Sequence, residues 1–333
     1  MHFPLMPGDT GQDVLNWQQW FQRAYEFYAP PVTGVFDADS IAATKEMQRR
    51  LGLDQTGHFN IQTAKKSRYI ETPVFFTVEG HMSNMFAGPV ADTATQLERE
   101  GLCHHQPIGY NNGAIPFDNA SGVQELARLV GQARMDNGVP FPAGTPWVLG
   151  VFSQGGIVGY DFYEAYLAPG KPLAWREADR LGTLAYGNPC RGTDSIAPWA
   201  IGQIKKTGTH GLDPYKRYGA PGCPALPPNF MDDYREGDIF AENGDDQASQ
   251  LKASIYQAVA RGDFLSNPYG VITELVHQLP NVISSNIPAL ITFGISVFQA
   301  IVSGIVFLAD QPNPHYSPYD ISGGLDWVRN LLS

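Results

Sequence analysis

Three residues of this 333-residue chain have the types and contexts that nucleophilic acyl transfer needs. Ser153 ends the run Thr145-Pro-Trp-Val-Leu-Gly-Val-Phe-Ser153-Gln-Gly-Gly156, which reads as a buried strand that stops at a serine and turns into a glycine-rich helix. Such a turn lifts a hydroxyl out of the sheet edge and lets the next backbone N–H, that of Gln154, face a developing oxyanion. Val151 stands where a turn of this kind favours glycine, so its Cβ is expected to crowd the chain there. A serine at neutral pH also needs a base within reach and a carboxylate that holds the base in one tautomer. Among eight histidines, His315 lies downstream of the other candidates and outside the helical pattern that contains His277. Asp238 follows Gly237 and precedes the apolar Ile239-Phe240-Ala241 at an expected strand end, whereas its rivals Asp245 and Asp246 sit in Glu242-Asn-Gly-Asp-Asp246, which reads as a solvated turn. Each residue taken singly also has a purely structural reading; their order and their shared place at strand exits carry the chemical one.

The elements that must position them follow from periodicity. Val74-Phe-Phe-Thr-Val78 is a short apolar run ending in Glu79-Gly80-His81-Met82, an amphipathic helix is predicted over Val123–Met135, and the Trp147–Phe152 strand comes next. A third strand, Leu181–Tyr186, leads to Gly187-Asn-Pro-Cys190, and a fourth element ends near Glu236-Gly-Asp238-Ile-Phe240. Strand, helix, strand and turn in alternation predict an α/β fold with a mostly parallel central sheet, whose sites lie beyond the strand ends. Residues 246–310 interrupt the alternation with helical pattern: Ser249–Arg261, Val271–Gln278 and the very apolar Ile287–Leu308. That last run is long enough to cross a bilayer, but Thr292, Ser296, Gln299 and Ser303 give it a polar stripe and no Lys or Arg flanks its start. It is expected to cover a greasy crevice as a lid, without stable membrane insertion. A short helix over Gly323–Leu332 closes the chain.

Composition narrows the classes further. With 43% hydrophobic and 12% aromatic residues the chain has material for a full core, and a net charge of −11 without basic clusters argues against a nucleic-acid partner. Three cysteines, Cys103, Cys190 and Cys223, make neither a disulfide framework nor a zinc spacing, and Cys103-His104-His105 reads as a loop packing motif, so no metal site is expected. The start Met-His-Phe-Pro-Leu-Met-Pro-Gly-Asp has no basic, then apolar, leader pattern, which implies synthesis and folding in a cytoplasm.

The first sixty-odd residues carry a near-repeat. Val14-x-x-Trp17-Gln18-Gln19-x-Phe21 echoes Ala43-x-x-x-Met47-Gln48-x-x-Leu51, and each run leads to a Thr-Gly turn at Thr33-Gly34 and Thr56-Gly57. With Gly8-Asp-Thr-Gly11-x-x-Val14 and Gly34-Val-Phe-Asp37-x-x-Ser40, residues 5–66 resemble the type 1 peptidoglycan-binding domain, which implies a small all-α domain over 1–68 and peptidoglycan as its partner. A helical cap on the next domain is the alternative. Residues 73–333 resemble the cutinase-like α/β-hydrolases, and most closely the mycobacteriophage lysin B enzymes. Phe152-Ser153-Gln154-Gly155, Gly187-Asn-Pro189, Gly237-Asp238-x-Phe240-Ala241 and the late His315 carry that resemblance. It implies a serine esterase with Ser153 as nucleophile, His315 as base and Asp238 as its orienting acid, working through an acyl-enzyme without a cofactor. The substrate implied is the ester between mycolic acids and arabinogalactan, cut at the host cell envelope during phage lysis by an enzyme made in the host cytoplasm. The oxyanion donors expected are the backbone N–H groups of Gln154 and His81, with Met82 as the fallback. Two other enzyme-level and non-enzyme readings remain at this point: a broad cutinase or lipase, and a wall-binding protein on an inactive hydrolase fold. A holin-like membrane protein built on Ile287–Leu308 conflicts with the return of His315 to the sheet edge.

Overall fold

The computed structural model describes residues 3–263, 267–279, 287–305, 314–315 and 318–333. The chain begins with three helices, α1 (Gln12–Ala24), α2 (Ala38–Leu51) and α3 (Ile61–Lys66), wrapped on a core of Trp17, Phe21, Phe36, Met47 and Phe59. The near-repeat has a physical cause here. Gln18 is fully buried and its Oε1 accepts from the N–H groups of Thr33 (2.9 Å) and Gly34 (2.8 Å), while its Nε2 donates to the Val35 carbonyl. Gln48 does the same for the second turn, accepting from Gly57 N–H (2.9 Å) and donating to the His58 carbonyl (2.9 Å). Each helix thus satisfies the buried backbone of its own Thr-Gly turn. The helices touch the rest of the chain where Gln62 N–H donates to the Ser333 carbonyl and Lys65 Nζ to that of Gly101.

Beyond them lies a five-stranded, fully parallel sheet built from β1 (Val74–Val78), β2 (His104–Pro107), β3 (Trp147–Phe152), β4 (Arg180–Tyr186) and β5 (Phe230–Asp233), in the order β2-β1-β3-β4-β5. β1 and β3 are buried at every position, as strands covered on both faces must be. Alternate residues feed two layers. Phe76, Val78, Leu149 and Val151 pack under α5 (Asn119–Gly131) and α6 (Gln154–Phe162). Phe75, Val148, Phe152 and Leu184 pack under α4 (Pro89–Arg99) and α11 (Ser322–Leu331). A single turn, α7 (Ala174–Glu177), leads into β4.

Four expectations shift. α5 begins and ends four residues earlier than the apolar spacing suggests, because Asp118 caps it by accepting from Ser121 N–H (3.1 Å). Cys103-His104-His105 is not a loop: it enters β2, a half-buried edge strand without apolar periodicity, where His105 bonds to Thr77 Oγ1 (2.7 Å). Asp238 is not at a strand end, since β5 stops at Asp233 and the intervening residues form a turn. The apolar run forms α10 (Ile287–Ile305), with Val306–Leu308 outside the described residues. α10 packs on α8 (Gln247–Arg261) and α9 (Pro268–Gln278), where Val297 joins Ile255, Ile272 and Val276. Among the described residues no helix is long and apolar enough to cross a membrane.

Candidate active site

Ser153 sits between β3 and α6 at φ 54°, ψ −121°, a conformation a non-glycine residue adopts only when its surroundings hold it. They do. Its N–H donates to the Tyr186 carbonyl (3.1 Å) and its carbonyl accepts from Gly156 N–H (2.8 Å). Small residues let the chain come this close: a Cβ on Gly80 would stand 2.7 Å from Ser153 Cβ, and one on Gly155 would overlap the Val78 carbonyl. Val151 does not crowd the turn as expected. Its side chain packs where α6 carries Gly159, on which a Cβ would lie 2.9 Å from Val151 Cγ1. The missing glycine of the strand is compensated by one on the helix.

The three candidates meet. His315 Nε2 lies 2.8 Å from Ser153 Oγ, and its Nδ1 lies 2.9 Å from both carboxylate oxygens of Asp238. The carboxylate fixes the imidazole proton on Nδ1 and leaves the Nε2 lone pair facing the hydroxyl. The ring is clamped by Phe152 (5.1 Å between centroids, 24° between planes) and Phe240 (4.3 Å). Asp238 and His315 are wholly buried and Ser153 nearly so. Burial works to raise the Asp238 carboxyl, but the imidazole, the Phe240 N–H (2.9 Å) and the Tyr319 hydroxyl (3.0 Å) outweigh it and hold the group below the usual carboxylate range. The rivals stand elsewhere. Asp245 is an exposed partner of His210 and Arg217, and Asp246 caps α8 by accepting from Ser249 N–H.

Of the donors expected to face an oxyanion, Gln154 opens α6, so its N–H is among those a helix leaves unpaired. Among the described residues no acceptor takes the His81 N–H, but Met82 N–H is spent on the Asn112 carbonyl (3.1 Å), which removes the fallback. Asn112 escaped the sequence reading. Its Nδ2 donates to the carbonyls of Gly80 and Ser83, both at 2.8 Å, and Tyr110 Oη donates to the Glu79 carbonyl at 2.8 Å. Together they template the loop that leaves β1. The polar turn Tyr110-Asn-Asn-Gly113 was their only signal, and turn composition alone does not say what a turn holds.

The space at Ser153 is about 10 Å³, walled by His81, Phe117, Gln154, Phe240 and Tyr256. That is room for roughly one water. His81 stacks on Phe117 (4.9 Å), and burial first of all pushes its imidazole below the ordinary range. The cover among the described residues is α8 through Tyr256; the described side chains of α10 pack on α8 and α9 and none of them lines this space, while Val306–Leu308 of the expected lid lie outside the described residues. Among the described residues no group of three or more His, Cys, Asp or Glu side chains could hold a metal ion.

Residues 10–66 match a family model described as "Putative peptidoglycan binding domain". The solved structure of lysin B from Mycobacteriophage D29 superposes with a TM-score of 0.54 at 21% identity, over 78% of this chain and 100% of that one. The chain shares that fold. Weaker overlaps are a cutinase-like protein from Cryptococcus sp. (TM-score 0.37, 14% identity, 52% of this chain and 80% of that one) and an iodinated acetyl xylan esterase (0.36, 15%, 68% and 98%). No curated protein sequence matches the chain.

Proposed function

We propose that the protein is a serine esterase that cuts the ester between mycolic acids and arabinogalactan at the host envelope during phage lysis, with residues 1–68 holding it to peptidoglycan. The observation that carries the reading is the unbroken chain from Ser153 Oγ to His315 to Asp238 at 2.8 and 2.9 Å. His315 Nε2 takes the hydroxyl proton as Ser153 Oγ attacks the ester carbonyl. The tetrahedral oxyanion is met by the N–H groups of Gln154 and His81, and collapse expels the alcohol with the proton returned by His315. Water, deprotonated by the same imidazole, then attacks the acyl-enzyme and releases the fatty acid. The wall substrate rests on the lysin B fold and on the peptidoglycan-binding match at residues 10–66. The test is release of free mycolic acids from mycobacterial cell-wall material by the full chain and none by Ser153→Ala. Turnover of short acyl esters without any mycolic acid release would leave a general esterase and remove the wall substrate.

A further inference from the structure

The acid and the base come from segments far apart in the chain, and one side chain reaches across both. Asp238 closes the turn Arg235-Glu-Gly-Asp238, in which its N–H donates to the Arg235 carbonyl (3.0 Å) and Gly237 takes φ 82°, the left-handed value that the third position of such a turn can require. His315 belongs to no helix or strand and has Pro314 before it and Pro318 three residues after it. A proline carries no N–H, so at these two positions the backbone can only accept. Arg235 supplies the donors: its guanidinium bonds to the Pro314 carbonyl (3.1 Å) and to that of Pro318. The two segments lie against each other, since a Cβ on Gly237 would stand 3.7 Å from Pro314 Cγ. The same guanidinium sits 4.3 Å over the Tyr319 ring, and the Tyr319 hydroxyl donates to Asp238 Oδ2 (3.0 Å). Burial above all pushes that hydroxyl well over its ordinary range, so it keeps the proton it gives to the carboxylate.

Resting on the esterase reading, we propose that Arg235 is a positioning residue for the reaction: its carbonyl closes the turn that presents Asp238, and its guanidinium holds the segment that presents His315 and the ring that braces the acid. It touches no reacting atom. Its effect passes through the contacts of His315 with Asp238 at 2.9 Å and with Ser153 at 2.8 Å, which stay short only while the two segments keep their register. Two carbonyls and a ring face call for a planar fork of donors, which a lysine ammonium, a single point charge, does not offer. The cation on the ring face also polarises the phenol toward donation, which strengthens its bond to the acid. A base displaced by about 1 Å is enough to cost about 10² in rate.

The test is Arg235→Met in the full chain, assayed on p-nitrophenyl butyrate and by proton NMR at low field, where the N–H shared by His315 Nδ1 and Asp238 resonates. In the folded variant kcat is expected to fall about 10²-fold with KM within about twofold, and the low-field signal to broaden or vanish. Arg235→Lys keeps the charge without the fork and should lose about tenfold in kcat with the signal shifted; it carries the same readouts if the methionine variant fails to fold. Wild-type kcat and an unchanged signal in either folded variant overturn the proposal. A fall in activity that only tracks the folded fraction, with the signal intact in the molecules that stay folded, overturns it as well, because Arg235 then serves the fold alone. A wild type that shows the signal but turns over no ester would sink the esterase reading instead, and the signal in the variants would still decide what Arg235 holds.

Discussion

The carboxyl edge of the sheet and the helices that cover it are built by opposite means. At the edge, Ser153, His315, Asp238 and the loop after β1 are held by directional bonds between 2.8 and 3.1 Å, each to a named atom. The cover, α8 to α10, is held by exchangeable aliphatic contacts such as Ile255, Ile272, Val276 and Val297. Directional bonds fix where a proton or an oxyanion stands, whereas apolar packing fixes only volume. Substitutions at the edge are therefore expected to change rate while leaving the fold, and substitutions in the cover to change stability or access.

The sharpest break of that contrast is Ser153→Ala. Triad serines elsewhere account for a factor of about 10⁶ in kcat, and a chromogenic acyl ester should register a loss of that order with unchanged thermal unfolding. Retained activity would remove the edge from the chemistry altogether. Next comes Asp238→Asn. The amide oxygen can still accept from Phe240 N–H, so its NH₂ turns to His315 Nδ1, the proton moves to Nε2, and the imidazole can no longer take one from Ser153. A fall of about 10⁴ in kcat is expected. Asp245→Asn and Asp246→Asn, which touch no atom of the site, should stay near wild type, and a large loss at either would mean the wrong acid has been named.

Asn112 sharpens the comparison, because it is a bonded residue that touches no reacting atom. Asn112→Ala frees the carbonyls of Gly80 and Ser83 and loosens the His81 N–H that should meet the oxyanion. We expect kcat to fall by about 10² with KM nearly constant, and a boronic acid that mimics the tetrahedral state to lose affinity in parallel. Loss of stability with normal kcat per folded molecule would make Asn112 a structural turn residue only.

How far all this was legible in the sequence follows the same divide. Strands buried on both faces announce themselves as apolar runs, and β1, β3 and β4 were readable to within a residue or so. The edge strand β2 was not, because His104-His105-Gln106-Pro107 is half exposed and has no apolar alternation. Ser153, Asp238 and His315 could be picked by type and order, yet nothing in the sequence states that the Met82 N–H is already engaged or that Gly159 makes room for Val151. The first is a contact between segments distant in the chain, and the second a fit between a strand and the helix that follows it, which residue types alone do not state. α10 is a related case: an apolar helix signals burial, and the partners its described residues pack on, α8 and α9, are not encoded in its own periodicity.

Glu79 is the exception at the sheet edge, and its effect falls on stability and not on rate. It follows β1, one residue before Gly80, and is almost fully buried. One carboxylate oxygen accepts from Ala91 N–H at the start of α4 (2.9 Å) and the other has no partner among the described residues. Burial, the dominant influence, pushes its carboxyl from 4.5 up to about 8 against the pull of the Ala91 N–H, with Asp92 adding to the rise. The folded state therefore holds this proton between about pH 4.5 and pH 8 while the unfolded chain has lost it. The sign follows from proton linkage: Glu79 contributes stability that is full below the unfolded value and is lost as pH rises through the folded one. Glu79→Gln keeps an acceptor for Ala91 and cannot ionise, so it should match wild type at about pH 5 and exceed it at about pH 9 by an amount on the order of a few kcal/mol. Denaturant unfolding at the two pH values measures the difference, and parallel pH slopes in both proteins would mean that Glu79 is ionised in the fold and paired like the rest of the edge.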